Sequence, residues 1–459
     1  MTLTVSNRGP LTFRFAPDGS LQKVPAGGGL ASSLHTLLAG TDATWVSVTM
    51  GAADRAAATQ GLLVEDGLRL VSVPIDDDTY AQAYDVVANT TLWYCHHHLF
   101  DLPHRPRFDR HWRLAWGGYT AYNRAVADVV VETAAPGEVV LVQDYHFSLL
   151  GRMLAERRPD LRTVHFLHTP FADPNMLGVL PDDVAAALLH GMAGYGACGF
   201  HCHKWEAGFR ACFAATGRTV PATFVSPLAP DHDELASAAA SEACARAAEA
   251  LRTETGGRRL IVRSDRMEPS KNIVRGMLAF EELLEGHPEW RGEVVHVALN
   301  YPSRQGLAEY LAYAADVVHT AERINHTWGT ADWTPIALHT DDDRARSLAA
   351  LSLADVLLVN PVRDGLNLVA KEGPLLNTSS GVLVLSREAG AWEELADAAV
   401  GINPFDVSGT AEALHGALSM DQSERAARAG RLQSIVRSRT AADWMQDLLA
   451  AAGPVQPSA

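Results

Sequence analysis

Short, unbroken apolar runs separated by stretches of helical spacing constrain this chain more than any other feature. LTVS near Leu3 opens the series. EVVLVQ then precedes Asp144, RTVHFL precedes His168, RRLIVRS precedes Asp265, EVVHVALN precedes Tyr301, DVLLVN precedes Pro361, and GVLVLS begins at Gly381. A strand with no polar alternation has both faces covered, so such strands alternating with helices predict α/β architecture with parallel, doubly wound sheets. The 459 residues suffice for two domains of roughly 200–250 residues each. The expected division is 1–232, 233–438, and a C-terminal helix and tail at 439–459 that packs back on the N-terminal domain, with a cleft between the two domains. The join falls near Pro227 to Asp233. An alanine-rich stretch from Ala236 to Arg252 reads as one helix, closed by Gly256 and Gly257. The last helix, Thr440 to Ala451, presents Trp444, Met445, Leu448 and Leu449 at helical spacing for docking.

In open parallel sheets, ligands gather beyond the carboxyl ends of the strands. The residues there are polar: Asn7-Arg8, Asp144-Tyr145-His146, His168, Asp265-Arg266, Ser303-Arg304 and Arg363-Asp364-Gly365. The formal charge of −16, from 38 Lys+Arg against 54 Asp+Glu, argues against nucleic acid or an anionic membrane as partner. Any phosphate must be held by a local cluster that overrides the overall sign. Apolar runs stop well short of the ~18 residues of a membrane span. The start, MTLTVSNRGP, has no signal-peptide pattern, and five cysteines make no secretory framework, so the expected compartment is the cytoplasm.

Several constellations carry chemistry. Gly27-Gly28-Gly29 follows the first strand and precedes a helical pattern, suiting close approach of backbone to an anion, although a flexible turn reads the same way. It lacks the order of a dinucleotide fingerprint. Arg266 and Lys271 in RMEPSK put two cations after a strand and at a helix start, a fitting diphosphate clamp; a plain surface loop is the alternative. Only four lysines occur, and two, Lys271 and Lys371, fall in candidate sites. In RDGLNLVAKE, Asp364 would face a sugar, Asn367 to Glu372 would begin a helix, and Glu372 would accept from ribose hydroxyls. An acidic charge at a helix N-terminus plus a solvated Glu is the alternative, and taken alone the commoner one. His168 ends one strand and Asp144 ends another, and a lone strand-end histidine is more often structural. CGFHCHKW (Cys198, His201, Cys202, His203) looks superficially like a metal site but has no second ligand cluster at zinc-finger distance, so no metal is expected.

Taken in order, from Val5 to about Asp406, these stretches resemble the trehalose-6-phosphate synthase family of retaining glycosyltransferases with the GT-B fold. The most specific parts are RDGLNLVAKE, RMEPSK with Ser303-Arg304, Asp144 with His168, and Tyr84 with Trp93. The resemblance implies that Arg8, Tyr84, Trp93 and Arg304 line the acceptor site for glucose 6-phosphate. It implies that Gly28, Arg266 and Lys271 hold the donor diphosphate, that Leu368 and Val369 present backbone to the donor, and that Glu372 meets its ribose. Asp144, His168 and Asp364 then surround the reacting glucose. The implied reaction needs no cofactor beyond its nucleotide-glucose substrate and gives trehalose 6-phosphate with retention. A separate phosphatase would remove the phosphate, and a homo-oligomer is compatible with this reading.

The chain also departs from the family. Gln143 replaces the first histidine of His-Asp-Tyr-His, and Arg-Leu-Asp-Tyr-Ser-Lys-Gly becomes Arg266-Met-Glu-Pro-Ser-Lys-Asn272. Val48 lies near the place of a second tryptophan after Trp45. Asn272 and the NPFD stretch from Asn403 resemble a pseudo-glycosyltransferase branch that couples a nucleotide cyclitol to an aminocyclitol phosphate. A silent sugar-phosphate sensor is a further alternative, against which the presence of Arg266, Lys271 and Glu372 speaks. An arginine-rich, lysine-poor, alanine-rich composition resembles streptomycete members that use GDP-glucose. With the altered Glu268, Pro269 and Asn272, it leads to the expectation that GDP-glucose is preferred over UDP-glucose.

Overall fold

The computed structural model describes residues 2–25, 29–60 and 63–453. The chain forms two compact units, Met1–Pro227 with Ala441–Ala459, and Leu228–Thr440. The first unit holds β1 (Thr2–Ser6), β2 (Leu11–Phe15), β3 (Leu21–Pro25), β4 (Thr44–Val48), β5 (Leu63–Glu65), β6 (Leu68–Val73), β7 (Val139–Gln143), β8 (Arg162–Leu167), β9 (Ala197–Phe200) and β10 (Ala222–Val225). Its main sheet runs β10-β9-β8-β7-β1-β4-β6-β5, parallel except for β5. The second unit holds β11 (Arg259–Arg266), β12 (Val294–Tyr301), β13 (Ile336–His339), β14 (Val356–Val359), β15 (Val382–Ser386) and β16 (Val400–Ile402), in the order β13-β12-β11-β14-β15-β16, parallel throughout. The apolar runs become the central strands, and every residue of β7, β14 and β15 is buried. Helices on both faces supply that burial, about 25 cal/mol for each Å² of apolar surface removed from water.

Strand order changes direction between β1 and β7 in the first unit and between β11 and β14 in the second. Such switch points open a crevice at the carboxyl ends, because the flanking connections leave to opposite faces. Asn7-Arg8 and Asp144 lie at one switch point, and Arg266 and Arg363-Asp364 lie at the other. The sheet topology therefore separates these candidates from ordinary loop residues.

Four local expectations change. A β2–β3 hairpin lies between β1 and the helix Gly29–Leu38, so the glycine run follows β3 rather than the first strand. Gly28 itself is outside the described residues. The alanine-rich stretch is two helices, His232–Ala239 and Glu242–Thr255, because the Ser241 hydroxyl accepts from the Cys244 amide and starts a new helix. The first of them packs on second-unit helices, so the division comes at Pro227/Leu228, ahead of 232, and the return at Ala441 follows 438. In the last helix, Ala441–Ala451, Trp444, Met445 and Leu448 are buried, whereas Leu449 is 38% exposed and does not dock. Trp444 packs edge-on against Phe166, the Ser226 hydroxyl donates to Asp447 (2.8 Å), and Arg162 donates to the Gly453 carbonyl (3.0 Å).

Candidate active site

In the first unit, Trp45 Nε1 donates to the Ser6 hydroxyl (2.7 Å), which donates to the Arg8 carbonyl (2.7 Å). This relay from the core fixes the backbone at Arg8. Asn7 accepts from the Tyr122 hydroxyl (2.6 Å). At the end of β7, Asp144 has φ 72° and ψ 172°, a region nearly reserved for glycine. The strained turn aims its carboxylate back across the strand end, where Oδ1 accepts from the His168 amide (3.2 Å).

His168 lies between two partners, with Nε2 at 2.9 Å from Gln143 Oε1 and Nδ1 at 3.1 Å from His201 Nε2. Burial, with the charge of His165 acting in the same direction, pushes its pKa down to about 3. At neutral pH the ring is therefore uncharged, and the carbonyl of Gln143 places the proton on Nε2. Gln143, a departure from the family pattern, thus keeps a hydrogen-bond partner for His168. His201 of CGFHCHKW proves to be a neighbour of His168, a role that spacing along the chain did not reveal.

Tyr84 and Trp93 belong to an uncommon element. Residues Ala81–Leu92 form a π-helix, and Trp93–His97 continue as α-helix. The Thr90 and Thr91 hydroxyls donate to carbonyls five residues back, at Asp85 and Val86. Long π-helices are rare, and short ones cluster at functional sites. The wide turn stacks Tyr84 between Tyr80 (5.0 Å) and His146 (5.6 Å). Trp93 lies over His97 (3.9 Å) and is only 7% exposed.

In the second unit, Arg266 ends β11 and Lys271 closes a 3-10 turn, Pro269–Lys271. Arg266 Nη1 is 3.0 Å from Glu268 Oε1, and Lys271 Nζ donates to Asp364 Oδ2 (2.5 Å). Burial lowers the Lys271 pKa, but Asp364 and Asp265 outweigh it and leave the ammonium more firmly protonated than usual. Arg304, at φ 44°, belongs to this unit and shares Glu268 at 3.6 Å, while Arg8, Tyr84 and Trp93 belong to the first. The switch-point loops are tied by backbone, with the Val362 amide donating to the Ser270 carbonyl (2.8 Å). Asn272 is left-handed, exchanges bonds with Asn360, and donates to the Pro404 carbonyl (2.7 Å). Asn272 and the NPFD stretch are therefore one structural pair and count once as a sign of another branch.

Asn367, at φ 78°, accepts from the Ala370 amide and donates to Asp364, so the helix begins at Val369, later than expected, with Leu368 as its cap. Burial pushes Glu372 up to about 7, only partly opposed by Arg344. Lys371 turns away from this group. Its ammonium is buried against Glu394 and the Leu228 carbonyl, so its place in the motif is structural. Among the described residues, the one set of three side chains close enough to share a metal is His287, Glu289 and His415. His287 caps the far end of the helix Ile273–Gly286, which starts at the strand carboxyl ends, and the Trp290 indole donates to His415 Nδ1. CGFHCHKW forms no such set.

Comparison with known proteins gives the family. The model of glycosyltransferase family 20 matches residues 1–453. The chain belongs to glycosyltransferase family 20. A bifunctional trehalose-6-phosphate synthase/phosphatase of Thermoproteus tenax is 31% identical over 97% of this chain, which spans 62% of that relative's length. A trehalose-6-phosphate synthase of Mycolicibacterium smegmatis is 32% identical over 98% of this chain and 92% of its own. The solved structure of an alpha,alpha-trehalose-phosphate synthase (UDP-forming) from Burkholderia xenovorans, in complex with glucose-6-phosphate, has a TM-score of 0.85 at 28% identity, covering 99% of this chain and 100% of that one. The fold of this glycosyltransferase is GT-B, built from its two doubly wound units. No helix among the described residues is long and apolar enough to cross a membrane.

Proposed function

We propose that this glycosyltransferase moves glucose from a nucleoside diphosphate glucose to the 1-hydroxyl of glucose 6-phosphate, giving α,α-trehalose 6-phosphate with retention. The observation that carries this reading is the filling of both switch points: Arg8 and Asp144 at one, Arg266, Lys271 and Asp364 at the other. The C1–O bond to the donor β-phosphate breaks, and a new C1–O bond forms on the same face. The acceptor's hydroxyl proton passes to the departing phosphate oxygen. Arg266 and Lys271 neutralise that phosphate, the step at which charge develops most. His168, uncharged at neutral pH and with its Nε2 proton held by Gln143, lies beside the donor sugar without shuttling a proton. Asp144 and Asp364 align the sugar, and Glu372 accepts from the ribose. Leu368 and Val369 bring backbone to the donor. Arg8, Tyr84 and Trp93 of the first unit and Arg304 of the second are assigned to the acceptor. Because side chains carry the neutralising charge, the reading needs no metal, and EDTA should leave most of the activity.

For the base, we infer GDP-glucose ahead of UDP-glucose. Support comes from composition and from the altered residues Glu268, Pro269 and Asn272; the name of the Burkholderia xenovorans relative says UDP-forming of that protein. One or two base hydrogen bonds at about 0.5–1.5 kcal/mol each suffice for tenfold discrimination. The test is nucleoside diphosphate release from GDP-, UDP- and ADP-glucose, with and without glucose 6-phosphate, and NMR of the product anomers. Turnover confined to an aminocyclitol phosphate acceptor would overturn the reaction; a higher kcat/KM with UDP-glucose would overturn the base.

A further inference from the structure

We propose that Glu268 is a positioning residue that sets Arg266 and Arg304 against one another and so fixes the spacing between donor diphosphate and acceptor phosphate. This rests on the function proposed above.

One carboxylate oxygen does the holding. Glu268 Oε1 accepts from the Ser303 hydroxyl (2.9 Å), lies 3.0 Å from Arg266 Nη1, and lies 3.6 Å from Arg304 Nη1. Residues 266–268 leave β11 and residues 303–304 leave β12, so this oxygen joins two adjacent strand ends. The Glu268 side chain is fully buried, while that of Arg266 is 42% exposed. The anchor is thus hidden, and the guanidinium it holds faces outward. Arg304 is also steadied by Tyr310, whose hydroxyl accepts from the same Nη1 and whose ring centroid lies 5.3 Å from the guanidinium carbon. Burial pushes the Glu268 carboxyl up, but Arg266, Arg304 and Lys271 outweigh it and bring it down to about 2. The charge is therefore present at every working pH. A buried carboxylate is costly unless paired and hydrogen-bonded, and here its pairing fixes the orientation of two cations.

Electrostatics and positioning predict opposite signs, which makes the role testable. Removing one negative charge from among three cations would by itself draw anions in and lower both KM values. Loss of orientation would raise them. A merely structural role would lower the folded fraction, reducing maximal rate at unchanged KM.

The experiment is Glu268→Gln, assayed for both KM values, alone and in an Arg266→Ala background. The expected result is a rise of about tenfold in KM for donor and acceptor alike, the scale of one hydrogen bond to a charged group. In the Arg266→Ala background the donor KM should rise no further, while the acceptor KM still rises. Unchanged or lowered KM values in Glu268→Gln, or a further donor effect without Arg266, would overturn the proposal. If Glu268→Gln is insoluble, Ser303→Ala decides, with both KM values raised about two- to threefold in support and both unchanged in refutation. Calorimetric binding of inorganic pyrophosphate to wild type and Glu268→Gln needs no turnover. Weaker binding by the variant, where wild type makes no trehalose 6-phosphate, would sink the reaction and leave the arginine pair standing.

Discussion

Asp144 offers a test in which the usual order of two substitutions reverses. At φ 72° and ψ 172° a side chain with a Cβ costs about 1–3 kcal/mol, and glycine escapes that cost. At an ordinary position glycine is about 0.5–1 kcal/mol worse than alanine, because its unfolded chain is freer. Asp144→Ala and Asp144→Gly both remove the carboxylate and its bond from the His168 amide, so that loss cancels between them. At the middle of those ranges the difference leaves Asp144→Gly more stable than Asp144→Ala by about 1 kcal/mol. For a unit of this size that is a melting shift of about 2–4 °C per kcal/mol, readable by scanning calorimetry. Both variants should lose activity together, about 10²-fold or more, because the reaction proposed above uses the carboxylate that the strain holds. Asp144→Ala melting at or above Asp144→Gly would refute the strain argument. Near wild-type turnover in either variant would refute the assignment of the carboxylate.

Arg266→Ala and Lys271→Ala should each lower kcat/KM by about 10²–10³, measured as nucleoside diphosphate release; a near wild-type rate in either would remove the clamp. Arg304→Ala should raise the KM for glucose 6-phosphate and leave donor binding nearly intact, and the opposite pattern would move it to the donor. Glu372, at about 7, should accept from the ribose better as pH rises through neutrality, so donor affinity climbs between pH 6 and 8 and Glu372→Gln flattens the profile. Its folded pKa is raised, so the native state holds the proton more tightly, and its contribution to stability falls as pH rises from about 4.5 to 7. Urea midpoints across that window should lose this component in Glu372→Gln.

Strands with continuous apolar runs were legible because both faces are covered, leaving no polar alternation to confuse the pattern. The β2–β3 hairpin was not, since LTFRF is short and mostly outside the core. The break at Ser241 hid within alanines, which favour helix so strongly that a single capping serine does not stand out. At the site, the residues beyond β1, β7, β11 and β14 could be picked out because strand ends are where ligands gather. The pairing of His201 with His168, and of Glu268 with Ser303 and Arg304, could not, because each joins residues more than thirty apart in sequence. Lys371 shows the reverse error: it sits in the most specific motif, yet helical phase turns it to Glu394.

The return of Ala441–Ala451 to the first unit has a consequence for the order of folding. The second unit is one continuous stretch, and its sheet can close once residues to Thr440 are available. The first unit cannot cover Phe166 and His168 until Trp444 has been synthesised, although most of its strands come earlier. Domains generally form as they emerge from the ribosome. Here the amino-terminal unit is the later of the two to be completed, and its candidate catalytic histidine gains its Trp444 neighbour only with the helix Ala441–Ala451.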